Sequence, residues 1–310
     1  MTSEGATGGA ASGDLTAGGT ASGGARYAAL VVAGLVCQEV GASIAVLLFP
    51  QVGSLGMVFL RVLFSAAILL PIARPRLRGI RLGSWMTVAA FGLVLALMNG
   101  LFYLSLDRIP LGAAVTIEVL GPLVLSVVAA RKAVAWLWAG LAAIGVLLLG
   151  EGSFGHLDLV GVLFAAGAGT SWAFYILLSR QTGRRFAKFD GLAIAMAIGA
   201  IASAPFGIVS AGPALLRPEV LLLGAAVALL SSTIPYGLEL LALRHLHAST
   251  FATLMSLAPA TAALAGLVLL GQRFTWVGVV AVLLVIGASI GAVWSARPHE
   301  PAPETPDEVA

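Results

Sequence analysis

Residues 82–106 read LGSWMTVAAFGLVLALMNGLFYLSL and contain no charged side chain. A helix of about 20 apolar residues is long enough to cross the hydrocarbon core of a membrane, and this run exceeds that length. A second uncharged run spans residues 191–216. Continuous apolar runs of this length predict transmembrane helices, because the strands of a membrane barrel are shorter and alternate apolar with polar residues.

The composition of the whole chain extends this prediction. Of the 310 residues, 59% are hydrophobic and only 10% are Asp, Glu, Lys or Arg. A water-soluble fold could not bury so much apolar surface, which excludes a soluble enzyme, a nucleic-acid-binding protein and a disulfide-stapled secreted domain. Cys37 is the only cysteine, so no intramolecular disulfide can form. We therefore expect an all-α integral membrane protein whose partner is the lipid bilayer.

Ten apolar segments lie between residues 28 and 295, separated by Pro, Gly or charged clusters. The two ends of the chain differ from these segments in composition. Residues 1–25 consist mostly of Gly, Ala, Ser and Thr, and residues 297–310 are rich in Pro and Glu. Such segments cannot bury enough apolar surface to fold, so both are expected to be disordered tails.

The basic residues predict the orientation of the chain in the membrane. When the connections are assigned alternately to the two sides, thirteen Lys and Arg residues fall on the N-terminal side. Only Arg108, Arg217 and Arg273 fall on the other side. Cytoplasmic connections carry the excess of Lys and Arg, so both termini are expected to be cytoplasmic.

A weak internal repeat relates residues 106–122 to residues 243–259, at an offset of 137 positions. The matched residues are Leu106, Thr116, Leu120 and Pro122 with Leu243, Thr253, Leu257 and Pro259. Ten segments then divide into five per half. Because five is odd, the second half begins on the opposite side of the membrane and is inverted relative to the first. We expect two inverted five-helix repeats, residues 26–151 and 152–296, an arrangement typical of transporters with a site at the midplane.

Four ionisable residues lie inside the apolar segments: Glu39, Arg61, Glu118 and Glu239. Each costs roughly 2.5–3.5 kcal/mol at membrane depth unless it faces a cavity or a partner. Glu118 is near the middle of the fourth segment, and Pro122 cannot donate a hydrogen bond to the Glu118 carbonyl. A carboxylate beside a freed carbonyl predicts a site for a cation, an ammonium group or a proton. A protonated, structural Glu118 is the alternative.

The other three ionisable residues each leave two interpretations open. Glu239 follows Pro235 but lies five residues before Arg244, so it either contacts substrate or pairs at the membrane surface. Arg61 either forms a structural salt bridge with Glu39 or holds a substrate carboxylate.

Further polar candidates are expected either to line a cavity or to hydrogen-bond between helices: Gln38, Asn99 and Tyr236. Breaks in the helices near the site are predicted at three prolines: Pro122, Pro235 and Pro259. The sequence has no phosphate-binding loop, no HExxH and no GxSxG motif. We therefore expect neither an enzyme nor a cofactor or metal site, and any pumping would use an ion or substrate gradient, with protons as the leading candidate.

Three stretches resemble a known family: LDRIPLGAAVTIEVLGPL (106–123), TSWAFYILLSRQTG (170–183) and SSTIPYGLELLALRHLHASTFATLMSLAPA (231–260). They are similar to the EamA-domain drug/metabolite transporters, in particular the threonine/homoserine exporter branch. The resemblance implies ten helices in two inverted EamA repeats, a bacterial inner membrane, and export of small amino acids in exchange for protons. On the family's pattern, Glu118 and Glu239 are the matching acids.

The chain departs from that pattern at Ala258 and Gln272, where the family commonly has acids, and at Val46, where a basic residue is frequent. The working hypothesis is an exporter of small amino acids with Glu118 as the proton-coupled site and Arg61, Gln38, Asn99 and Tyr236 contacting substrate. Export of another metabolite or a drug-like compound remains open. So does a non-transporting membrane scaffold, whose mark would be a packed centre without a polar cavity.

Overall fold

The computed structural model of the chain describes residues 17–130, 133–152, 157–187, 189–243, 245–246, 248–273 and 275–295. Within these ranges the chain is a bundle of helices without β-strands. The α-helices are α1 (Ala17–Ala73), α2 (Leu82–Leu106), α3 (Leu111–Glu118), α4 (Leu120–Ala130), α5 (Ala133–Gly152), α6 (Leu159–Arg185), α7 (Asp190–Ala211), α8 (Pro218–Ala228), α9 (Ile234–Leu243), α10 (Ala248–Met255), α11 (Ala258–Leu270) and α12 (Trp276–Ser295).

These helices account for the ten predicted segments. Helix α1 bends at Gly53, whose φ of 70° is readily adopted only by glycine, and so supplies two segments. Helices α3 and α4 together form the fourth segment, and α10 and α11 form the ninth. A π-helical turn, Leu229–Thr233, joins α8 to α9 within the eighth.

The helices have the length and surface of membrane spans. Seven stretches in the described residues are long and apolar enough to cross a membrane, and one of them, 25–73, contains the bend at Gly53. Two shorter apolar stretches cover 111–125 and 136–148. Large apolar side chains point outward, for example Val209, which is 86% exposed, and Leu222, which is 72% exposed. Such a surface suits lipid rather than water, which confirms the prediction of an all-α integral membrane protein.

The N-terminal helix is longer than predicted. Helix α1 begins at Ala17, so residues 17–25, which we assigned to a disordered tail, are helical in the structure. Extending an existing helix adds a hydrogen bond per residue without a new nucleation step, which is why a Gly- and Ala-rich segment can continue it. The rest of that predicted tail and the whole of the C-terminal one lie outside the described residues.

The packing of the helices repeats between the two halves. The fourth segment is interrupted at Val119 and the ninth at Ser256, positions that differ by the same 137 residues as the sequence repeat. Helix α4 packs on α6, and its counterpart α11 packs on the first part of the chain, α1. The last helices of the two halves, α5 and α12, pack on each other. This pairing brings α1, α4, α6, α9, α10 and α12 around a common centre.

Candidate transport site

A cavity of about 380 Å³ lies at this centre. Its wall includes the middle of α6, the C-terminal half of α12 and the second half of α10, so it occupies the half of the bundle nearer the α6–α7 connection. Eight polar or aromatic side chains give the cavity its chemical character: Gln38, Trp172, Tyr175, Tyr236, Glu239, Phe251, Ser256 and Ser289. Three of them, Gln38, Tyr236 and Glu239, are among the residues predicted for the site.

A second cavity of about 210 Å³ lies next to the α6–α7 connection. It is lined by the last turns of α6, including Ser179 and Thr182, and it shares three residues with the central cavity: Tyr175, Tyr236 and Glu239. The side chains of Tyr175 and Tyr236 are hydrogen-bonded to each other. This tyrosine pair and Glu239 therefore separate the central cavity from the end of the bundle.

Glu118 lies beside the central cavity rather than in its wall. It is the last residue of α3, and the following residue, Val119, belongs to the cavity wall. Its side chain is partly buried and lies close enough to Arg61 to interact electrostatically.

The backbone at Glu118 packs tightly on α6 at Gly169. A Cβ atom added to Gly169 would lie 3.1 Å from the Cα of Glu118 and would overlap the Glu118 carbonyl oxygen. A Cβ atom added to Gly121 would in turn overlap the backbone of Gly169. The carbonyl that Pro122 leaves without a helical donor is therefore packed against α6 and does not line the cavity.

Arg61 is buried, with 7% of its surface exposed, and donates three hydrogen bonds. Its Nη2 donates to the Ser231 carbonyl (2.9 Å), its Nε to Ser232 Oγ (3.1 Å) and its Nη1 to Tyr103 Oη (3.3 Å). The guanidinium also lies 5.5 Å from the centre of the Tyr103 ring. Arg61 thereby ties α1 to α2 and to the π-helical turn.

The salt bridge between Arg61 and Glu39, one of the two interpretations left open by the sequence, is not present. Glu39 is 2% exposed and its Oε2 accepts no hydrogen bond. Among the described residues the ion pair is instead Arg108 with Asp158, at 2.7 Å. The π-helical turn offers Arg61 a backbone carbonyl and a hydroxyl, and these neutral acceptors satisfy the guanidinium in place of a carboxylate.

Asn99 is turned towards its own helix. It is buried, and its Nδ2 donates to the Leu95 carbonyl at 2.8 Å.

The three prolines lie where helices restart. Pro122 is in the first turn of α4, Pro235 in the first turn of α9 and Pro259 in the first turn of α11. Each proline lacks the N–H that would bond the carbonyl four residues earlier, so the carbonyls of Glu118, Ser231 and Met255 receive no helical hydrogen bond from it.

Comparison with known proteins shows the family. A model of the EamA-like transporter family matches residues 159–294. The threonine/homoserine exporter RhtA of Salmonella typhimurium (strain LT2) is 41% identical over 261 residues, which cover 83% of this chain and 88% of the relative. The exporter of the same name from Escherichia coli (strain K12) is 40% identical over the same shares. This chain belongs to the EamA-like transporter family.

Other comparisons agree with this assignment. An uncharacterized transporter of Bacillus subtilis (strain 168) is 27% identical over 157 residues, 46% of this chain and 50% of the relative. One crystal structure superposes with a TM-score of 0.58 at 18% identity, covering 86% of this chain and 96% of the other, a likeness that shows the fold alone. The resemblance noted in the sequence is thus confirmed. The EamA transporter is a multi-pass membrane protein that moves a small molecule, and it is not an enzyme.

The sequence analysis of this EamA transporter missed the aromatic wall of the cavity. Trp172 and Tyr175 come from α6 and Phe251 from α10, and none of them was proposed for the site. One signal could have identified the α6 face: Trp172, Tyr175 and Ser179 are spaced by three and four residues, so they lie on one side of a helix. Phe251 carries no such signal, because only the packing of α10 places it near α6.

Proposed function

We propose that this EamA transporter exports small amino acids of the threonine and homoserine kind from a bacterial cell, in exchange for protons. The observation that carries the proposal is the identity of 40–41%, over 83% of the chain, with exporters of threonine and homoserine. The inner membrane is the proposed location, since export from the cytoplasm requires it.

The placement of the cavity supports transport by alternating access. The cavity lies towards the α6–α7 connection, while the Arg108–Asp158 ion pair and the hydrogen bond from Leu111 to Gln272 join the two halves of the chain at the opposite end of the bundle. In alternating access, each state opens the central site to one side of the membrane and closes it to the other. A central cavity that is closed at one end is the arrangement expected of one such state. An open central cavity with the Glu239 carboxylate in its wall also argues against a non-transporting scaffold with a packed centre.

The basic residues support a cytoplasmic position for the cavity. The second cavity adjoins the α6–α7 connection, and Arg184 and Arg185 lie at that end of α6. Because cytoplasmic connections are rich in Arg and Lys, this end and both termini are proposed to face the cytoplasm. Substrate then enters the cavity from the side on which it is made.

Glu118 is proposed as the carboxylate that couples transport to protons. It lies near the middle of the fourth apolar segment, next to Val119 of the cavity wall and within electrostatic reach of Arg61. An ammonium group in the cavity disfavours protonated Glu118 electrostatically, and a proton arriving from outside favours release of the substrate. The amino acid and the proton therefore move across the membrane in opposite directions.

The test is flux of labelled threonine and homoserine in proteoliposomes with an imposed pH gradient. We expect native protein to show gradient-driven flux and Glu118→Gln to lose about tenfold or more of it, because the amide cannot bind and release a proton. Glu219→Gln, at an exposed acid in the first turn of α8, is the matched control and should keep native flux. If the native protein transports neither threonine nor homoserine, the proposed cargo is wrong. If Glu118→Gln shows gradient-driven flux at the native rate, Glu118 is not the coupling site.

A further inference from the structure

The charged side chain in the described wall of the central cavity is negative. Of the described residues that line it, Glu239 is the one acid, and none is a lysine, arginine or histidine. Glu239 also lines the second cavity, so a ligand that enters past the α6–α7 connection meets this carboxylate on both sides of the tyrosine pair. This arrangement favours a positively charged group over a negatively charged one.

Aromatic side chains form the rest of the recognition surface. Trp172, Tyr175, Tyr236 and Phe251 come from three helices, α6, α9 and α10, and all four line the cavity with partly exposed surfaces. The face of an aromatic ring attracts ammonium groups, and the attraction grows when the site is shielded from water. A carboxylate together with several aromatic faces is the chemistry that recognises an amine.

No cation in the described lining can hold a carboxylate. Arg61 was the candidate for that role, but its three hydrogen bonds go to Ser231, Ser232 and Tyr103, and it is not part of the cavity wall. The neutral groups that remain are the Gln38 amide and the hydroxyls of Ser256 and Ser289. A substrate carboxylate would therefore share the cavity with Glu239 and would contact no cation in the described wall.

We propose that the cavity is an amine site, which recognises the ammonium group of its ligand through Glu239 and the aromatic wall and does not require a carboxylate. The proposal rests on the proposed function for the choice of threonine as reference ligand. It assigns a wider class of ligands to the same site: amides and esters of small amino acids, and primary amines with a compact apolar body. Removing the carboxylate of threonine removes its repulsion from Glu239, so the amide is expected to bind more tightly than the amino acid.

The experiment measures binding to the purified full-length protein by isothermal titration calorimetry. The ligands are threonine, threoninamide, which lacks the carboxylate, N-acetylthreonine, which lacks the ammonium group, and benzylamine. We expect threoninamide to bind as tightly as threonine or more tightly, and N-acetylthreonine to bind about tenfold more weakly or worse. Tight binding of N-acetylthreonine, or failure of threoninamide to bind a protein that binds threonine, would overturn the proposal.

Variants of Glu239 separate recognition from folding. Glu239→Gln should lower the binding affinity for threoninamide and for benzylamine by about tenfold. Glu239→Asp, which keeps the charge, should recover part of that affinity. Glu219→Gln again serves as the control and should bind as the native protein does. Threoninamide binding unaffected by Glu239→Gln would count against the amine site even if threonine is transported. If threonine is neither bound nor transported but benzylamine binds in a Glu239-dependent manner, the amine site stands and the proposed cargo falls.

Discussion

Arg61 shows how a buried charge is accommodated in this transporter. Its guanidinium reaches a hydroxyl, a phenol and a backbone carbonyl on two other elements, at 2.9 to 3.3 Å. A buried cation is costly unless its donors are paired, and these acceptors pair three of them. The fork geometry of arginine makes this possible, because a lysine ammonium is a compact point charge at the end of a flexible stem.

Replacing Arg61 should therefore weaken the packing of α1 on α2 and on the π-helical turn. We expect Arg61→Lys to lower the free energy of unfolding by about 2–3 kcal/mol, since it keeps the charge but loses the fork. Tyr103→Phe removes one hydrogen bond and should cost about 1 kcal/mol. Thermal unfolding in detergent micelles measures both. Tyr27→Phe, whose ring stacks on His245 without a described hydroxyl contact, is the control, and native stability of Arg61→Lys would contradict the assignment.

The sequence reveals which residues are ionisable at membrane depth but not what they contact. Glu39, Arg61, Glu118 and Glu239 stand out because they interrupt apolar runs. The partners of Arg61 are 42 and 171 residues away along the chain, so no local pattern indicates them. This is why a salt bridge with Glu39 was considered and the hydrogen bonds to Tyr103 and Ser232 were not.

Among the elements, α6 carries both the cavity wall and the contact that places Glu118. Gly169 of α6 lets the junction of α3 and α4 approach backbone to backbone. Small residues at such crossings are what allow helices in membranes to pack closely.

Gly169→Ala tests this contact. The added methyl group would overlap the Glu118 carbonyl, so we expect α6 and α3 to separate, with a loss of about 1–3 kcal/mol of stability and reduced flux. Gly140→Ala is the matched control in α5, because nothing lies within 4 Å of its added Cβ atom. That variant should be as stable as the native protein or slightly more so, since alanine favours helix. Equal unfolding temperatures for the two variants would show that the contact is not tight.

The beginning of α6 should also respond to pH. Asp158 caps the helix by accepting from the Val160 N–H at 2.9 Å, and the hydrogen bond from Arg108 lowers the pKa of the Asp158 carboxyl below its usual value. A lowered pKa means that the stabilisation is present at neutral pH and is lost as the pH falls below about 4. Asp158→Asn keeps an oxygen for the cap but cannot titrate, so the acid loss of stability should be smaller in this variant. Unfolding temperatures at pH 7 and below pH 4, at low salt, measure the effect, and identical losses in both proteins would contradict it.

Element boundaries were predictable where proline or glycine marks them. Pro122 and Pro259 follow the interruptions of the fourth and ninth segments, and Gly53 marks the bend in α1. Pro235 follows the π-helical turn Leu229–Thr233, but a proline alone does not distinguish a π-helical turn from other breaks in a helix. Its serines are ordinary in sequence, and their importance depends on the packing of α1 beside them.

At the scale of the whole molecule, contacts between the two halves close the end opposite the cavity. Arg108 pairs with Asp158, and the Leu111 N–H donates to Oε1 of Gln272 at 3.1 Å. The second contact supplies a hydrogen-bond partner to the first turn of α3 from the connection between α11 and α12. These contacts and the hydrogen bonds of Arg61 hold the two halves together. The cavity is therefore reached from the other end of the bundle, where the α6–α7 connection lies.

This one-sided arrangement predicts which positions an impermeant thiol reagent can reach. In a Cys37→Ala background, Ser179→Cys lies in the second cavity, and Glu219→Cys lies exposed at the opposite end of the bundle. We expect an impermeant maleimide to label Ser179→Cys in inside-out vesicles but not in intact cells, and Glu219→Cys in the reverse pattern. Because Ser179 lies beside Tyr175 and Tyr236, a ligand in the cavity should slow its labelling. Labelling of both positions from the same side would contradict the arrangement of the ten segments. If instead Ser179→Cys is labelled in intact cells and Glu219→Cys in inside-out vesicles, the fold stands but its orientation is reversed. The amine site would then open to the outer face of the membrane.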